Sequence, residues 1–416
     1  MGLGWEIVTD TDMIRGIPAV NYSRRIIPGS FRVEPCSLLF EKGIIPQEIQ
    51  IRDWKGLPVF FSASGSGSVS GIGPEPDIPF DIFAASFYLV SRYEEYQDYR
   101  PDRHGRFPAS VSAAYRHGFL NIPVVDLWAG ELAKALGRKY PELKFSFRKY
   151  NALLTVDTDQ PFAYLGKGIV RTAGGLLRNL LHDPRKAAER IRVLTGKAKD
   201  PFDVYDYILR NISEKETDAI FFFPTGNFSK YDRNPHWRNR KYRRLIRKLG
   251  NMHASGMHPS YPASEDTGRF RSERERLDRI LNRRIMISRF HFIRMKIPEA
   301  YRMIYGEGIS EDYSMGYPDH PGFRAGIARP FLFYDLTGEK QTDLKIIPFQ
   351  YMDSTFYHYM NLGPPEAEEI IVRLMDETRK AGGLFVSLWH NTTITATAEG
   401  RGWRKLFEKM LAMQKP

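Results

Sequence analysis

Two carboxylates stand one residue apart in "ALLTVDTDQPFAYLGKG", residues 152–168, where an apolar run gives way to a turn. In extended chain, residues two apart point the same way, so Asp157 and Asp159 can both face one opening. Carboxylates that close repel one another unless a cation lies between them. A hard or borderline divalent ion takes oxygen and nitrogen ligands; one carboxylate and two imidazoles suffice, with a position left open for water. A second carboxylate beside the ion can take a proton, and a histidine across the site can give one. An isolated D-x-D also has a plainer use, with one aspartate capping the turn and the other solvated, so its company decides.

That company comes from the elements around it. From residue 149 onward, short apolar or β-branched runs alternate with longer amphipathic stretches, the rhythm of a parallel sheet wrapped by helices. Strand candidates are "ALLTVDTD", "DAIFFFP", "SGMHPSY", "IMISRFHFI", "EDYSMGY", "GFRAGI", "KIIPFQYMD" and "GLFVSLWHN", with helices such as "PFDVYDYILRNIS", "RSERERLDRILNRR" and "PPEAEEIIVRLMDETRKAGG" between them. Like the two aspartates, His258, His291, Asp353 and His390 fall at or near strand C-terminal ends, which carry the active site in parallel α/β barrels. Before residue 149 the rhythm is missing. "SASGSGSVSGIG" reads as a flexible loop, and "VVDLWAGELAKALGRKY" as an amphipathic helix with Leu127, Leu132 and Leu136 near one face. Residues 1–148 are therefore expected to form a separate N-terminal domain and 149–416 the α/β unit.

"TVDTD", "HPSY", "GFRAG", "YMDSTF" and "SLWH" occur in the order of the motifs of polysaccharide deacetylases of the NodB-homology type (carbohydrate esterase family four). "SRYEEY" and "DRHGRF" resemble signatures of a divergent bacterial subgroup with an uncharacterised N-terminal domain, so the resemblance covers most of the chain. It implies a distorted (β/α) barrel of seven to eight parallel strands, with a smaller α+β domain before it. It also implies removal of acetyl groups from sugars with a divalent metal, usually zinc. On this pattern Asp157 is the general base, Asp159 and His258 hold the metal, Arg324 orients the base, and His390 is the general acid, with Asp353 a candidate to fix its tautomer. The family's second metal histidine would stand four residues after His258, where this chain has Pro262. His253 lies an odd number of residues from His258 and would face the other side of a strand, so His291 is the residue expected to complete the site. Tyr261, Trp389 and Tyr317 are candidate sugar-stacking rings. Glu94, Glu95, Asp102, His104 and Arg106 form a polar cluster that could fasten the two domains together.

The 416-residue chain is 42% hydrophobic, 13% aromatic and 26% charged, a globular composition. No apolar stretch suits a membrane helix or a signal peptide, so a cytoplasmic setting is expected. The single cysteine, Cys36, excludes an internal disulfide. Much of the net charge of +12 is concentrated in "HWRNRKYRRLIRK", where residues 237–248 could contact an anionic surface; no nucleic-acid motif accompanies them. Three readings remain: a metal-dependent hydrolase acting on an acetylated sugar or a lipid- or nucleotide-linked glycan precursor, a catalytically inactive glycan-binding or scaffolding protein on the same fold, and a binder of nucleic acid or anionic membrane.

Overall fold

The computed structural model describes residues 2–14, 16–62 and 75–415, so the "SASGSGSVSGIG" loop, apart from Ser62, lies outside the described residues. The N-terminal part carries two short strand pairs. β1 (Val20–Asn21) and β2 (Phe31–Arg32) are parallel; β3 (Arg52–Trp54) and β4 (Leu57–Val59) are antiparallel. Helix Ile82–Val90 starts where the Asp81 carboxylate accepts from the Ala84 N–H at 2.9 Å, which satisfies one of the free donors of a helix start. Helix Val124–Lys139 buries Trp128, Leu132 and Leu136; Trp128, rather than Leu127, completes that face. These side chains join Phe31, Val59, Phe80 and Leu89 in one apolar core.

The rest of the chain builds a nine-stranded sheet in the order β10-β11-β9-β8-β7-β6-β5-β13-β12. Its strands are β5 (Asn151–Asp157), β6 (Ala219–Phe223), β7 (Ala254–Met257), β8 (Ile287–Ser288), β9 (Glu311–Met315), β10 (Phe331–Asp335), β11 (Lys340–Pro348), β12 (Tyr351–Met352) and β13 (Leu384–His390). Eight are parallel, and β10 is antiparallel to β11. The fold is α/β, built on one large curled, mostly parallel sheet. "GFRAGI" forms a turn, not a strand, while "FLFYD" supplies β10. Residues 345–348 pair with β9 and residues 351–352 with β13, which draws the two sides of the curl together.

Alternation along the strands sorts side chains into two layers. Ile220, Phe222, Tyr313, Ile347, Phe349, Val386 and Leu388 fill the concave interior. Phe221 and Phe223 point the other way, into the core shared with the surrounding helices. Two glycines make room for the interior rings, since a Cβ at Gly256 would meet the Phe222 ring at 2.4 Å and one at Gly316 the Phe349 ring at 2.4 Å. Helix Arg240–Met252, the basic one, packs Tyr242, Leu245, Ile246 and Leu249 inward, and Lys248 pairs with Asp206 at 2.5 Å. No helix among the described residues is long and apolar enough to cross a membrane.

A buried ionic knot joins the N-terminal part to the sheet. Arg324 donates to both oxygens of Glu95, at 2.9 and 2.6 Å, and to the Gly316 carbonyl at 3.0 Å. Arg92 donates to Glu95, to Glu94 and to the Tyr317 hydroxyl. Burial alone would raise the Glu95 carboxyl, but Arg324 and Arg92 hold it below its ordinary value of 4.5. A carboxylate depressed in the folded state stabilises the protein above that ordinary value, and the contribution is lost as the pH falls toward its folded value. Glu95→Gln leaves the Arg324 guanidinium without its carboxylate partner and Arg92 with Glu94 alone, and is expected to cost about 3–5 kcal/mol at neutral pH. Urea unfolding should show that difference shrinking as the solution is acidified; a difference constant with pH would refute the assignment.

Candidate metal centre

Parallel register places several strand ends at one height. His390 pairs with Asp157, Asp157 with Phe222, and Phe223 with Met257, the residue before His258. Residues 153, 155 and 157 alternate toward the interior, so Thr155 and Asp157 both face the same buried arginine. That arginine is Arg289, just past β8. Its Nη1 donates to the Thr155 hydroxyl at 2.8 Å and to Asp157 Oδ1 at 3.0 Å, and its Nε to the Tyr313 carbonyl at 2.9 Å. The guanidinium lies 4.4 Å from the centre of the Phe222 ring, a cation–π contact inside the curl.

Three imidazoles converge on Asp159. The Nε2 atoms of His258, His291 and His390 lie 3.1, 3.3 and 3.6 Å from its carboxylate oxygens. In each, the other ring nitrogen is already engaged with an acceptor. His258 Nδ1 donates to the Arg289 carbonyl at 2.7 Å, His291 Nδ1 to Asp232 Oδ1 at 2.9 Å, and His390 Nδ1 to Asp353 Oδ1 at 2.6 Å. A neutral imidazole has one donor and one acceptor nitrogen, so an Nε2 that faces a carboxylate must either carry a second proton or turn a lone pair toward it. Extra protons could fill those gaps, but the His258 and His291 rings are 4.9 Å apart and two imidazolium charges there repel. One divalent cation satisfies the carboxylate and the imidazoles together. Asp159 Oδ1 is buried, faces His258 Nε2 at 3.1 Å and has no well-aligned hydrogen bond among the described residues, a setting that suits a ligand oxygen. Asp159, His258 and His291 have ligand atoms all within 4.8 Å of one another, an N₂O set suited to a borderline ion.

The local chain explains the placing of His291. After β8 the backbone turns sharply, with φ of 60° at Phe292 and 52° at Ile293, a left-handed conformation that costs a non-glycine residue energy and persists only where its surroundings hold it. They do. Arg106 donates to the Phe292 carbonyl at 2.7 Å, and Arg294 donates to the His104 carbonyl at 3.1 Å. The polar cluster of the N-terminal part therefore braces the turn that presents a candidate ligand.

The electrostatics follow from these neighbours. Burial alone would raise the Asp159 carboxyl; the His291 and His258 imidazoles hold it well below the usual range. Burial alone would lower His291, but Asp159 and Asp232 push it up to about 10. His390 likewise rises to about 9 against burial, chiefly through Asp353 and then Asp159 and Asp157. At neutral pH His291 thus holds a proton on Nε2 until a cation displaces it. Zinc binding is expected to release about one proton per ion, read as a calorimetric heat that varies with the ionisation enthalpy of the buffer. A heat identical in all buffers would refute this.

Of the residues singled out in the sequence, the structure gathers Asp157, Asp159, His258, His291, Asp353 and His390 at one cleft of about 520 Å³. It corrects others. Arg324 does not reach Asp157, because Glu95 and Gly316 take its guanidinium; Arg289 holds that position. Trp389 is 1% exposed, with its Nε1 on the Tyr351 hydroxyl, and Tyr317 is 1% exposed beside Arg92, so neither ring can meet a ligand. Tyr261 is half-buried, stacked on Tyr231 at 4.2 Å and bonded to His104 at 3.1 Å, behind the lining. The aromatic rings that do line the cleft are Tyr231, Phe290, Phe292, Tyr357 and Tyr359. Arg289 and Asp232 were missed. The signal for Arg289 was an arginine inside the apolar run "IMISRFHFI", which a buried strand tolerates only when the charge is paired; nothing in "SKYDRN" marks Asp232.

Residues 1–141 match a family model described as "Family of unknown function (DUF7033)". No curated protein matches the chain. Among solved structures, a protein described as a polysaccharide deacetylase from Mycobacterium smegmatis is 14% identical, with a TM-score of 0.43 over 65% of this chain and 87% of its own. One so described from Pseudomonas aeruginosa PAO1 is 13% identical, with a TM-score of 0.38 over 62% and 83%. A CE4 family pseudoenzyme from Bacillus anthracis is 10% identical, with a TM-score of 0.29 over 63% and 62%. Likenesses this low carry no functional weight, and the geometry of the cleft has to supply it.

Proposed function

We propose that the protein is a metal-dependent hydrolase that removes an acetyl group from an acetylated amino sugar, with residues 149–416 as its catalytic unit and 1–148 as a separate, bracing domain. The observation that carries this reading is the convergence of three imidazole Nε2 atoms on Asp159 while each Nδ1 is committed elsewhere. Asp159, His258 and His291 would hold the ion, zinc fitting the donor set. When bound, such an ion supplies Lewis acidity toward water and a carbonyl oxygen.

The chain's own groups supply the proton transfers. Asp157 Oδ1 is tied to Arg289, while Oδ2 points toward the cluster, 3.7 Å from His258 Nε2. Oδ2 takes the proton from the attacking water, whose oxygen bonds to the acetamide carbon. His390, its Nδ1–H fixed on Asp353, delivers the Nε2 proton to the departing nitrogen as the C–N bond breaks. The products are acetate and a free amino sugar. Tyr231 and Tyr359 offer flat faces for a sugar ring at the cleft rim.

The test is acetate release from N-acetylglucosamine oligomers by zinc-loaded protein, with loss on chelation and recovery on zinc addition. Zinc-loaded protein that releases no acetate from any acetylated sugar would leave a glycan-binding role and end the hydrolase reading.

A further inference from the structure

A second cavity of about 800 Å³ opens beside the candidate metal centre and shares Gln160, Lys230 and Arg233 with it. Its walls are helices Ile169–His182 and Pro184–Leu194 and the loop around residue 230. The lining is cationic: Arg171, Arg178, Lys186, Arg190, Lys230 and Arg233 face one carboxylate, Asp183, which lies 3.6 Å from Lys186. Arg190 is 8% exposed; among the described residues its Nε has no hydrogen-bond partner, no carboxylate pairs with it, and its guanidinium lies 4.7 Å from the centre of the Tyr164 ring. A buried guanidinium without an anion is costly, and a fixed fork of donors suits a phosphate. Lys167, on the same wall, is pushed down to about 8, chiefly by burial and then by Arg171 and Arg190.

The helix that forms one wall has a second face. Arg171, Gly174, Gly175, Arg178, Asn179 and His182 line the groove. Ile169, Val170, Leu177, Leu180 and Leu181 recur at the same spacing on another side, and none of the helix's residues is buried. Ile169 is 88% exposed, Val170 85%, Leu181 71% and Leu177 60%. A helix with an open apolar face flanked by arginine and lysine is the pattern that settles into the interface of an anionic bilayer.

We propose that this groove takes the phosphate or diphosphate of a lipid-linked acetylated sugar while the apolar face of helix Ile169–His182 lies in the membrane surface. The proposal rests on the hydrolase reading and specifies its substrate class. The lipid would leave the groove across the apolar edge of the helix, and the sugar would extend past Lys230 and Arg233 into the cleft of the metal centre. A soluble nucleotide-linked sugar would use the cations but leave that apolar face in water.

The experiment is flotation of the full-length protein with three vesicle types: phosphatidylcholine alone, phosphatidylcholine with phosphatidylglycerol, and phosphatidylcholine with polyprenyl phosphate. Binding is expected to be negligible on the first, measurable on the second and strongest on the third. Leu177→Asp and Leu181→Asp, both at exposed positions, should weaken partition roughly tenfold each on both anionic vesicle types. Arg178→Gln and Arg233→Gln should weaken it roughly fivefold each on the polyprenyl phosphate vesicles. Inorganic phosphate, titrated by calorimetry, should bind weakly and equally to wild type and the leucine variants. No vesicle binding, equal binding to neutral vesicles, or a leucine variant that instead dissociates a dimer in sedimentation would each overturn the proposal. Flotation does not need turnover, so wild-type binding that persists in Asp159→Ala separates failure of this proposal from failure of the hydrolase reading.

Discussion

Asp157→Asn is expected to lower the rate of acetate release by about 10²–10⁴-fold while the protein keeps its divalent ion. The substitution preserves shape. Arg289 Nη1 can still donate to the amide oxygen at the Oδ1 position, so the buried guanidinium keeps a partner and the strand end should hold. What disappears is the basic oxygen at Oδ2, which an amide nitrogen cannot replace as a proton acceptor. Measured on zinc-loaded protein at saturating substrate, the loss should appear in kcat, and elemental analysis should show the metal unchanged. Turnover within a few-fold of wild type would remove Asp157 from the reaction.

Asp159→Ala is expected to abolish tight zinc binding, because it deletes the carboxylate on which His258, His291 and His390 converge. Asp232→Asn is the graded companion. Asp232 fixes the tautomer and aim of His291 from behind, and loss of such an outer partner typically weakens a metal site about 10- to 100-fold. Competition with a zinc-binding dye would measure both, with His253→Ala, whose ring lies against Phe221 and away from the cleft, as a control. Unaltered zinc affinity in Asp159→Ala would place the ion elsewhere, and equal effects of Asp159→Ala and His253→Ala would mean that the loss is general unfolding.

Strand ends were legible because periodicity and chain direction are local properties of sequence. The histidines in "GMHPSY" and "SLWH" and the paired aspartates of "TVDTD" could be placed at one rim from the order of strands alone. Partner choice was not legible. Arg324 and Arg289 are both arginines near strand ends, and which one meets Asp157 depends on Glu95, more than two hundred residues from Arg324 in the chain, claiming the other. The rings failed for a related reason: an aromatic beside a catalytic residue points to the rim or into the core according to strand parity, and Trp389, one residue before His390, points inward. His291, expected from the sequence to stand in for the histidine missing at Pro262, does reach Asp159, but the means, a left-handed turn at Phe292 just after β8, is a backbone feature that the sequence did not announce.

The short stretch that leaves β9 and arrives at β13 has a mechanical consequence. Gln350 clasps Val386 through its backbone N–H at 3.2 Å and its side-chain oxygen at 2.6 Å, and three residues later Asp353 grips both the backbone and the ring of His390. The clasp that keeps the sheet rolled is thereby also what aims the His390 ring, the proton donor of the proposed reaction. A slackened clasp would misdirect the proton before it unrolled the sheet, so activity should report damage there earlier than any melting curve.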